Sequence, residues 1–178
     1  MPRCKSCKDK FEVKYFNQKY CMVKDECIKA FSDFAKKENI KKQRKQLKEK
    51  KEALKTITDY LNEAQIVFNK YIKLRDKGKP CISCKRTNLK KINAGHYIAR
   101  NKCKYLTFNE KNVHLQCEYC NNSLSGNLLE YRKNLIKLIG VEEVNKLEAQ
   151  RNITHRWTRD ELQEIKEKYK LKISNFRH

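Results

Sequence analysis

The spacing of apolar residues predicts where the folded core of this chain begins. From Leu54, apolar side chains recur at steps of three and four, which is typical of a helix that packs one face. These positions are Leu54, Ile57, Leu61, Ala64, Phe68 and Tyr71. Gly78 and Pro80 then end the helix. The pattern predicts that the core starts at Leu54.

Two more amphipathic helices are predicted in the last third of the chain. The first carries Leu128, Leu129, Tyr131, Leu135, Ile136 and Leu138, and Gly140 stands where a C-terminal cap is expected. The second begins with Thr158 and Glu161, spaced as a capping box. Its apolar face is Leu162, Ile165, Tyr169 and Ile173.

Between these helices the period changes from helix to strand. Val113 and Leu115 alternate with Asn112, His114 and Gln116, which indicates a β-strand. A helix is expected after the following Cys-x2-Cys pair, so this region is predicted to be a β-hairpin that leads into a helix. The fold class is therefore α+β and mostly helical.

The stretch from about residue 35 to residue 55 is dominated by Lys, Glu, Gln and Arg. Ile40 and Leu47 are isolated apolar residues seven positions apart, so we expect a solvated helix or a short coiled coil. Charge alone supports two functions equally: a basic arm along DNA phosphates, or a spacer helix. The predicted organisation is an N-terminal cysteine knuckle (1–34), a basic helical arm (35–55) and a third domain (56–178).

Net charge indicates the kind of partner. The chain has 43 Lys and Arg against 21 Asp and Glu, a formal charge of +22, which favours a polyanion such as nucleic acid. An anionic membrane is the competing partner, but no stretch approaches the ~20 apolar residues of a spanning helix, and no signal peptide is evident. We expect a soluble protein of the cytoplasm.

Cysteine spacing predicts two zinc sites. The chain has nine Cys with three Cys-x2-Cys pairs, which suits tetrahedral thiolate sites better than a secreted disulfide framework. The predicted ligands of the first site are Cys4, Cys7, Cys21 and Cys27. Free or redox-active thiols are the alternative there. The aromatic residues around Phe11, Tyr15, Phe16 and Tyr20 would supply the small core.

The second predicted zinc site joins two matched pairs. Its ligands are Cys81, Cys84, Cys117 and Cys120. Four thiolates leave no open coordination position, so this metal is expected to be structural. Cys103 is left over between the strands and is expected to be a plain, unliganded thiol.

Candidate catalytic residues lie between and after the second set of cysteines. Hydrolysis of a phosphodiester needs a base for water, a divalent ion on the phosphate and charge neutralisation as the 3′ oxygen leaves. A neutral His96 can accept the proton, and the Asn121 carbonyl is a hard ligand suited to Mg²⁺ or Mn²⁺. A lone hairpin histidine is more often structural, so the position of His96 between the cysteine pairs is what singles it out.

These residues resemble the HNH, or ββα-metal, nuclease pattern embedded in two Cys-x2-Cys pairs. His96, Asn112 and Asn121 match the His-Asn-Asn places. Over nearly its full length the chain resembles the phage NinG (Rap) recombination protein family. The segments that carry this resemblance are 80–84 (PCISC), 94–97 (AGHY), 108–110 (FNE), 116–117 (QC), 120–121 (CN), 125–128 (SGNL) and 155–158 (HRWT).

The resemblance implies a structure-specific endonuclease that cuts branched recombination intermediates, including Holliday junctions and D-loops, in the host cytoplasm. It implies that His96 is the general base, that Asn112 holds the hairpin geometry and that Asn121 binds the catalytic ion. His114 is either a second metal ligand or phosphate contact, or a hydrogen-bonding strand residue. Many HNH sites have Asp or His before the base, whereas this chain has Gly95; Asn93 is a possible substitute ligand.

Phosphate contacts are expected from a set of basic residues near these motifs: Arg100, Lys102, Lys104, Arg132 and Arg156.

Resolution of a junction requires two nicks, which favours a two-fold homodimer joined through the helix around Leu47 or the last helix. The alternatives are a zinc-stapled architectural or regulatory protein that grips DNA without cutting it, and an RNA-binding zinc protein suggested by charge and by Tyr15 and Tyr20.

Overall fold

A computed structural model describes residues 1–177 of the chain. It confirms an α+β, mostly helical fold with one two-stranded sheet, divided into two compact units, Met1–Lys55 and a second that begins at Thr56. The main elements are α1 (Asp25–Ala53), α2 (Ile57–Arg75), β1 (Ile92–His96), β2 (Val113–Cys117), α3 (Leu128–Ile139), α4 (Val141–Ala149) and α5 (Arg159–Ser174). Of the helices described, none has the length and apolar character needed to cross a lipid bilayer.

The N-terminal unit has a small core around its cysteines. Cys4, Cys27, Phe11 and Tyr20 are buried together, and the Tyr20 ring lies 6.0 Å from the Phe31 ring between centroids. Because α1 begins at Asp25 and contributes to this core, the domain boundary predicted at residue 34 falls inside a helix. Beyond that point α1 buries no residue, as expected for a solvated helix.

The start of the second core differs from the prediction. Leu54 is 80% exposed and Ile57 is 47% exposed, so the prediction that the core begins at Leu54 is wrong. The chain leaves α1 at Ala53, and Thr56 starts a new helix by capping it. The Thr56 hydroxyl accepts a hydrogen bond from the Asp59 N–H at 3.3 Å, and the Asp59 carboxylate accepts from the Thr56 N–H at 2.8 Å.

The β-hairpin lies between two helical layers. β1 and β2 pair antiparallel with His96 opposite Val113 and Gly95 opposite His114, so these two pairs point to opposite faces. On one face, Val113 packs with α2 and α5 in a buried cluster. On the other, His114 contacts Tyr131 of α3. All five residues of β2 are buried because both faces are covered.

The structure confirms two predicted helix boundaries in the C-terminal region. Thr158 and Glu161 form the capping box of α5, and Gly140, with φ of 85°, ends α3. The helix expected after the last cysteine pair is α3, which starts at Leu128, and a short π-helical turn (Tyr119–Ser123) that includes Cys120 precedes it. Three consecutive residues with positive φ, from Ser125 to Asn127, interrupt the helix there. The prediction also missed α4, which buries Val144 and Leu147.

The Thr56 cap gives a testable stability prediction. Thr56→Ala removes the acceptor for an N-terminal N–H of α2 and should lower the free energy of unfolding by about 1 kcal/mol. The measurement is urea denaturation followed by the fluorescence of Trp157, the single Trp of the chain, which packs against the core of the second unit. Thr58→Ala, at an exposed position of the same helix, should change it by less than about 0.5 kcal/mol. Equal effects of the two substitutions would contradict the assignment.

Candidate active site and cysteine clusters

The N-terminal cysteines meet at one point. The sulfur atoms of Cys4, Cys7, Cys21 and Cys27 all lie within 4.8 Å of one another. The Cys4 and Cys27 sulfurs are 3.7 Å apart, and those of Cys7 and Cys21 are 3.8 Å apart. A tetrahedral ion with Zn–S distances of ~2.3 Å separates its ligands by about 3.8 Å, so the four thiols have the spacing that zinc requires.

The second cluster has the same geometry within the other unit. Its sulfurs also lie within 4.8 Å of one another, and those of Cys84 and Cys117 are 3.8 Å apart. Backbone N–H groups point at two of the sulfurs: Cys117 N–H at Cys81 Sγ (3.3 Å) and Cys120 N–H at Cys117 Sγ (3.4 Å). Such N–H donors favour thiolates, the form that binds a metal. Both predicted four-cysteine clusters therefore form, and each could hold zinc.

The same type of backbone turn occurs in each of the two clusters. Lys8 follows Cys7 with φ of 66°, and its N–H donates to the Cys4 carbonyl at 3.0 Å. Lys85 follows Cys84 with φ of 59°, and its N–H donates to the Cys81 carbonyl at 2.9 Å. In both clusters, a lysine with left-handed backbone conformation therefore closes the turn that carries the Cys-x2-Cys pair. Cys103 belongs to neither cluster; it is buried with its sulfur 3.4 Å from the Gln150 carbonyl.

A polar cleft brings two of the sequence candidates together. His96 at the end of β1 and Asn121 in the turn after Cys120 both line it. The cleft has a volume of about 460 Å³, and its other lining residues are Gln65, Asn69, Ala94, Ala99, Arg100, Asn101, Ser125 and Gly126. A second cleft of about 730 Å³ also touches His96 and includes Lys102 and Arg151. His96 is thus shared between two adjoining clefts.

The hydrogen bonds of His96 define its tautomer. Its Nε2 lies 3.0 Å from the Thr107 carbonyl oxygen, which can only accept, so Nε2 carries the proton. The lone pair of the neutral ring is then on Nδ1. Burial, aided by the Arg100 charge, lowers the pKa of His96 to about 4, although the Thr107 and Ala94 carbonyls oppose the shift. At neutral pH His96 is therefore an uncharged base.

Asn112 is a fully buried connector beside the hairpin. Its amide nitrogen donates to the Ile98 carbonyl at 3.0 Å and to the Leu106 carbonyl at 3.1 Å. Its amide oxygen accepts from the Ile98 N–H at 2.8 Å. These three bonds tie together the two ends of the loop between the strands, which begins directly after His96. The geometry suits a positioning role, whereas Asn112 does not line the cleft.

The structure does not bring His114 or Asn93 to the His96 cleft. The Tyr131 hydroxyl donates to the Gly95 carbonyl at 2.9 Å, so it accepts from His114 Nδ1 at 3.2 Å. Burial lowers the pKa of His114 to about 4, aided by the Arg75 charge. Of the interpretations left open for His114, the geometry favours the hydrogen-bonding strand residue. Asn93 pairs with Gln116, on the strand face opposite to His96.

Asn121 is oriented by its neighbour. Its amide nitrogen donates to the Asn122 side-chain oxygen at 2.6 Å. The Asn121 side-chain oxygen therefore points away from Asn122. In the described part of the chain, that oxygen accepts no hydrogen bond. A half-buried carbonyl oxygen in a polar cleft is a ligand type that Mg²⁺ or Mn²⁺ accepts.

The predicted phosphate-binding residues differ in how free they are. Arg100 and Lys102 are exposed and line the two clefts, and Lys104 and Arg156 are also exposed. Arg132 instead forms an ion pair with Glu148, with Nε and Oε1 2.7 Å apart. That pairing leaves Arg132 less available to a phosphate than the other four.

Sequence reasoning missed polar cleft residues contributed by α2 and by the C-terminal region. Gln65 and Asn69 are one turn apart, with Gln65 donating to Asn69 at 2.6 Å. Arg100 Nη1 lies 3.4 Å from the Gln65 side-chain oxygen. Two uncharged polar residues four positions apart in α2, and so on one side of the helix, were the available signal. Arg151, which lines the larger cleft, had no such signal because it is distant in sequence from the hairpin.

Fold and site together define an α+β protein with two four-cysteine clusters and a polar cleft centred on a neutral histidine. The family described as "Bacteriophage Lambda NinG protein" matches residues 1–178. The chain belongs to this NinG family.

Curated relatives agree over most of the chain. It is 36% identical over 194 residues to "Protein ninG" of Escherichia phage 933W, covering 99% of this chain and 94% of that protein. It is 42% identical over 132 residues to "Protein ninG" of Escherichia phage lambda and 40% identical over 131 residues to that of Salmonella phage P22, covering 74% of this chain and 64% of each relative. No solved structure matches.

Metal analysis of purified protein tests the clusters. Mass spectrometry of metals should find about two zinc ions per chain, because each cluster supplies four thiolates. Cys120→Ser should lower the content to about one and reduce the thermal stability of the second unit. Cys103→Ser replaces a buried cysteine outside both clusters and should retain two. Full zinc content in the Cys120 variant would contradict the assignment.

Proposed function

We propose that this protein is a metal-dependent endonuclease of the HNH type that cuts branched DNA, including Holliday junctions and D-loops. The observation that carries the proposal is the shared cleft of His96 and Asn121, in which a neutral base and an oxygen ligand converge. The His-Asn-Asn pattern within the cysteine pairs supports the same chemistry. Membership of the NinG family is compatible with it, although the relatives' names specify no activity.

The two cysteine clusters would hold structural zinc. Each has four thiols at tetrahedral spacing, which closes the coordination sphere and leaves no position for substrate. In the second unit, Asn121 directly follows the ligand Cys120, so a bound ion would fix the turn that presents Asn121. Zinc at this cluster would support cleavage by positioning Asn121, and it would take no part in the reaction itself.

His96 would begin the reaction as the general base. Its Nδ1 lone pair accepts a proton from water while the Nε2–H remains bonded to the Thr107 carbonyl. The water oxygen attacks phosphorus, and the bond to the 3′ oxygen breaks. A Mg²⁺ or Mn²⁺ ion held by Asn121 would supply positive charge at the scissile phosphate. Arg100 would neutralise further charge from the rim of the cleft.

Binding to DNA would rest on phosphate contacts. The formal charge of +22, together with exposed Arg100, Lys102, Lys104 and Arg156, favours recognition of backbone shape rather than base sequence. The exposed basic stretch of α1 would add contacts as an arm. Because resolution of a junction requires two nicks, we expect the protein to act as a homodimer. Its mass in solution, measured with and without junction DNA, tests this expectation.

Cleavage of a labelled four-way junction tests the site. With Mg²⁺ or Mn²⁺, wild-type protein should nick the junction and spare a matched linear duplex. His96→Ala should lower the rate at least about a hundredfold while junction binding persists, because a positioned base contributes 10²–10⁴-fold. Asn121→Ala should also cut poorly, and higher concentrations of divalent ion should partly restore it.

The matched control is Asn145→Ala, at an exposed position of α4 that lines neither cleft. It should cut at the wild-type rate. Tight junction binding by wild-type protein with no cutting under any divalent ion would overturn the nuclease and favour an architectural DNA-binding protein.

The buried state of His96 predicts a distinctive pH profile. Since burial lowers its pKa to about 4, the base stays neutral as the pH falls from 7.5 to 5.5. The value of kcat/KM, which reports the free protein, should change little over this range. A histidine with an ordinary pKa near 6.5 would lose about tenfold. A tenfold loss centred near pH 6.5 would show that His96 does not have this environment or is not the base.

A further inference from the structure

Only part of the aromatic core expected in the N-terminal unit forms. Phe11 and Tyr20 are buried with the cysteines, whereas Tyr15 is 50% exposed and Phe16 is 95% exposed. Val13 is 45% exposed, so three apolar side chains reach solvent within four residues of the chain. The core of this unit is complete without them. A cluster of exposed apolar side chains with a polar rim is typical of an interaction surface.

The backbone turn that carries these rings is held in one conformation. The buried Gln18 side chain accepts from the Lys14 N–H at 2.8 Å through its oxygen and donates to the Tyr20 carbonyl at 2.8 Å through its nitrogen. The Gln18 N–H donates to the Tyr15 carbonyl at 3.3 Å, and Asn17 has φ of 64°, in the left-handed region. Because the turn is already ordered, a ligand that binds there loses little of its affinity to ordering the chain.

The charges on this aromatic turn (residues 13–19) are all positive. Lys14 and Lys19 are exposed, and residues 13–24 include no Asp or Glu. Flat rings flanked by cations suit a ligand that is both planar and anionic. Unpaired nucleotides combine these properties, because their bases stack on aromatic rings while their phosphates contact lysine. A second copy of this chain is a poorer match, since its own formal charge is +22.

A groove against the aromatic turn extends the same surface onto α1. It has a volume of about 110 Å³ and is lined mainly by aromatic rings, those of Tyr15, Tyr20, Phe31 and Phe34. Lys19 also lines it, with its ammonium group 5.3 Å from the centre of the Phe34 ring. Aromatic surface and positive charge therefore lie side by side within the N-terminal unit.

We propose that the aromatic turn is a stacking site for the unpaired bases of a DNA strand. Phe16 stacks on a base, and Lys14 and Lys19 contact the phosphates beside it. The inference rests on the proposed function and names the part of a branched substrate that this unit recognises, namely a single-stranded segment such as the displaced strand of a D-loop. The contact is tolerant of sequence, because every base has a flat face.

Binding of a short oligothymidylate to the full-length, zinc-loaded protein tests the inference. The Kd is measured by fluorescence anisotropy without a divalent ion, so that no cleavage takes place. Phe16→Ala should raise this Kd at least about fivefold, as loss of a stacked ring does at other single-strand sites, and should leave the Kd for a linear duplex within about twofold. Val23→Ala is the matched control: it shortens an 80% exposed apolar side chain of the same unit and should change neither Kd.

Further variants separate stacking from apolar contact and from charge. Phe16→Trp keeps a flat ring and should retain the wild-type Kd or improve it, whereas Phe16→Leu should bind as weakly as Phe16→Ala. Phe16→Ala should leave the slope of log Kd against log salt concentration unchanged. Lys14→Ala should reduce that slope by about 0.7, the value for one phosphate contact on a single strand. A Phe16→Ala protein with the wild-type Kd, or with equal losses on single strand and duplex, would overturn the inference.

The assignment to DNA and the proposed nuclease can each fail separately. Tighter Phe16-dependent binding of oligouridylate than of oligothymidylate would overturn the assignment to DNA. Phe16-dependent binding of oligothymidylate by a protein that cuts no junction would support the stacking site and remove the nuclease. Junction cutting by a protein whose Kd for oligothymidylate does not depend on Phe16 would remove the stacking site and retain the nuclease.

Discussion

The convergence of Cys81, Cys84, Cys117 and Cys120 on one point constrains most of the second unit. These thiols come from a loop, the end of a strand and a short helical turn, and their sulfurs lie within 4.8 Å of one another. A hairpin of two five-residue strands has little stability by itself, so a metal ion held by these thiols would cross-link its base and help to fix its register. Strand register then decides which side chains face the cleft.

The hairpin also has a polar interior. With both faces of the hairpin covered by helices, buried polar groups must find partners within the protein. Asn112 satisfies three backbone groups, and Tyr131 joins His114 to the Gly95 carbonyl. His96 obtains its tautomer from the Thr107 carbonyl. Of the three residues that match the nuclease pattern, Asn112 is a buried connector, whereas His96 and Asn121 line the cleft.

The fold class, the hairpin, α5 with its capping box and both cysteine clusters were predictable from sequence because each depends on local spacing. The start of the second core was misplaced at Leu54 because the helical spacing of apolar residues includes Leu54 and Ile57, which the structure leaves exposed. The convergence of His96 and Asn121 follows from their motif places. That His114 faces α3 depends on strand pairing, and that Gln65 lines the cleft depends on the packing of α2. Neither can be predicted from the spacing of neighbouring residues.

On the hairpin, the Gln116 side chain stands so close to Gly95 that it restricts the order in which these two positions can diverge. A substitution at position 95 meets an occupied space, with Gln116 Oε1 2.2 Å from a new Cβ. A shortening of residue 116 meets no such obstacle but leaves the Ser83 and Gly126 groups without their donor. An evolutionary path from this arrangement to one with a carboxylate at position 95 therefore passes first through a smaller residue 116, and the two positions should drift as a pair.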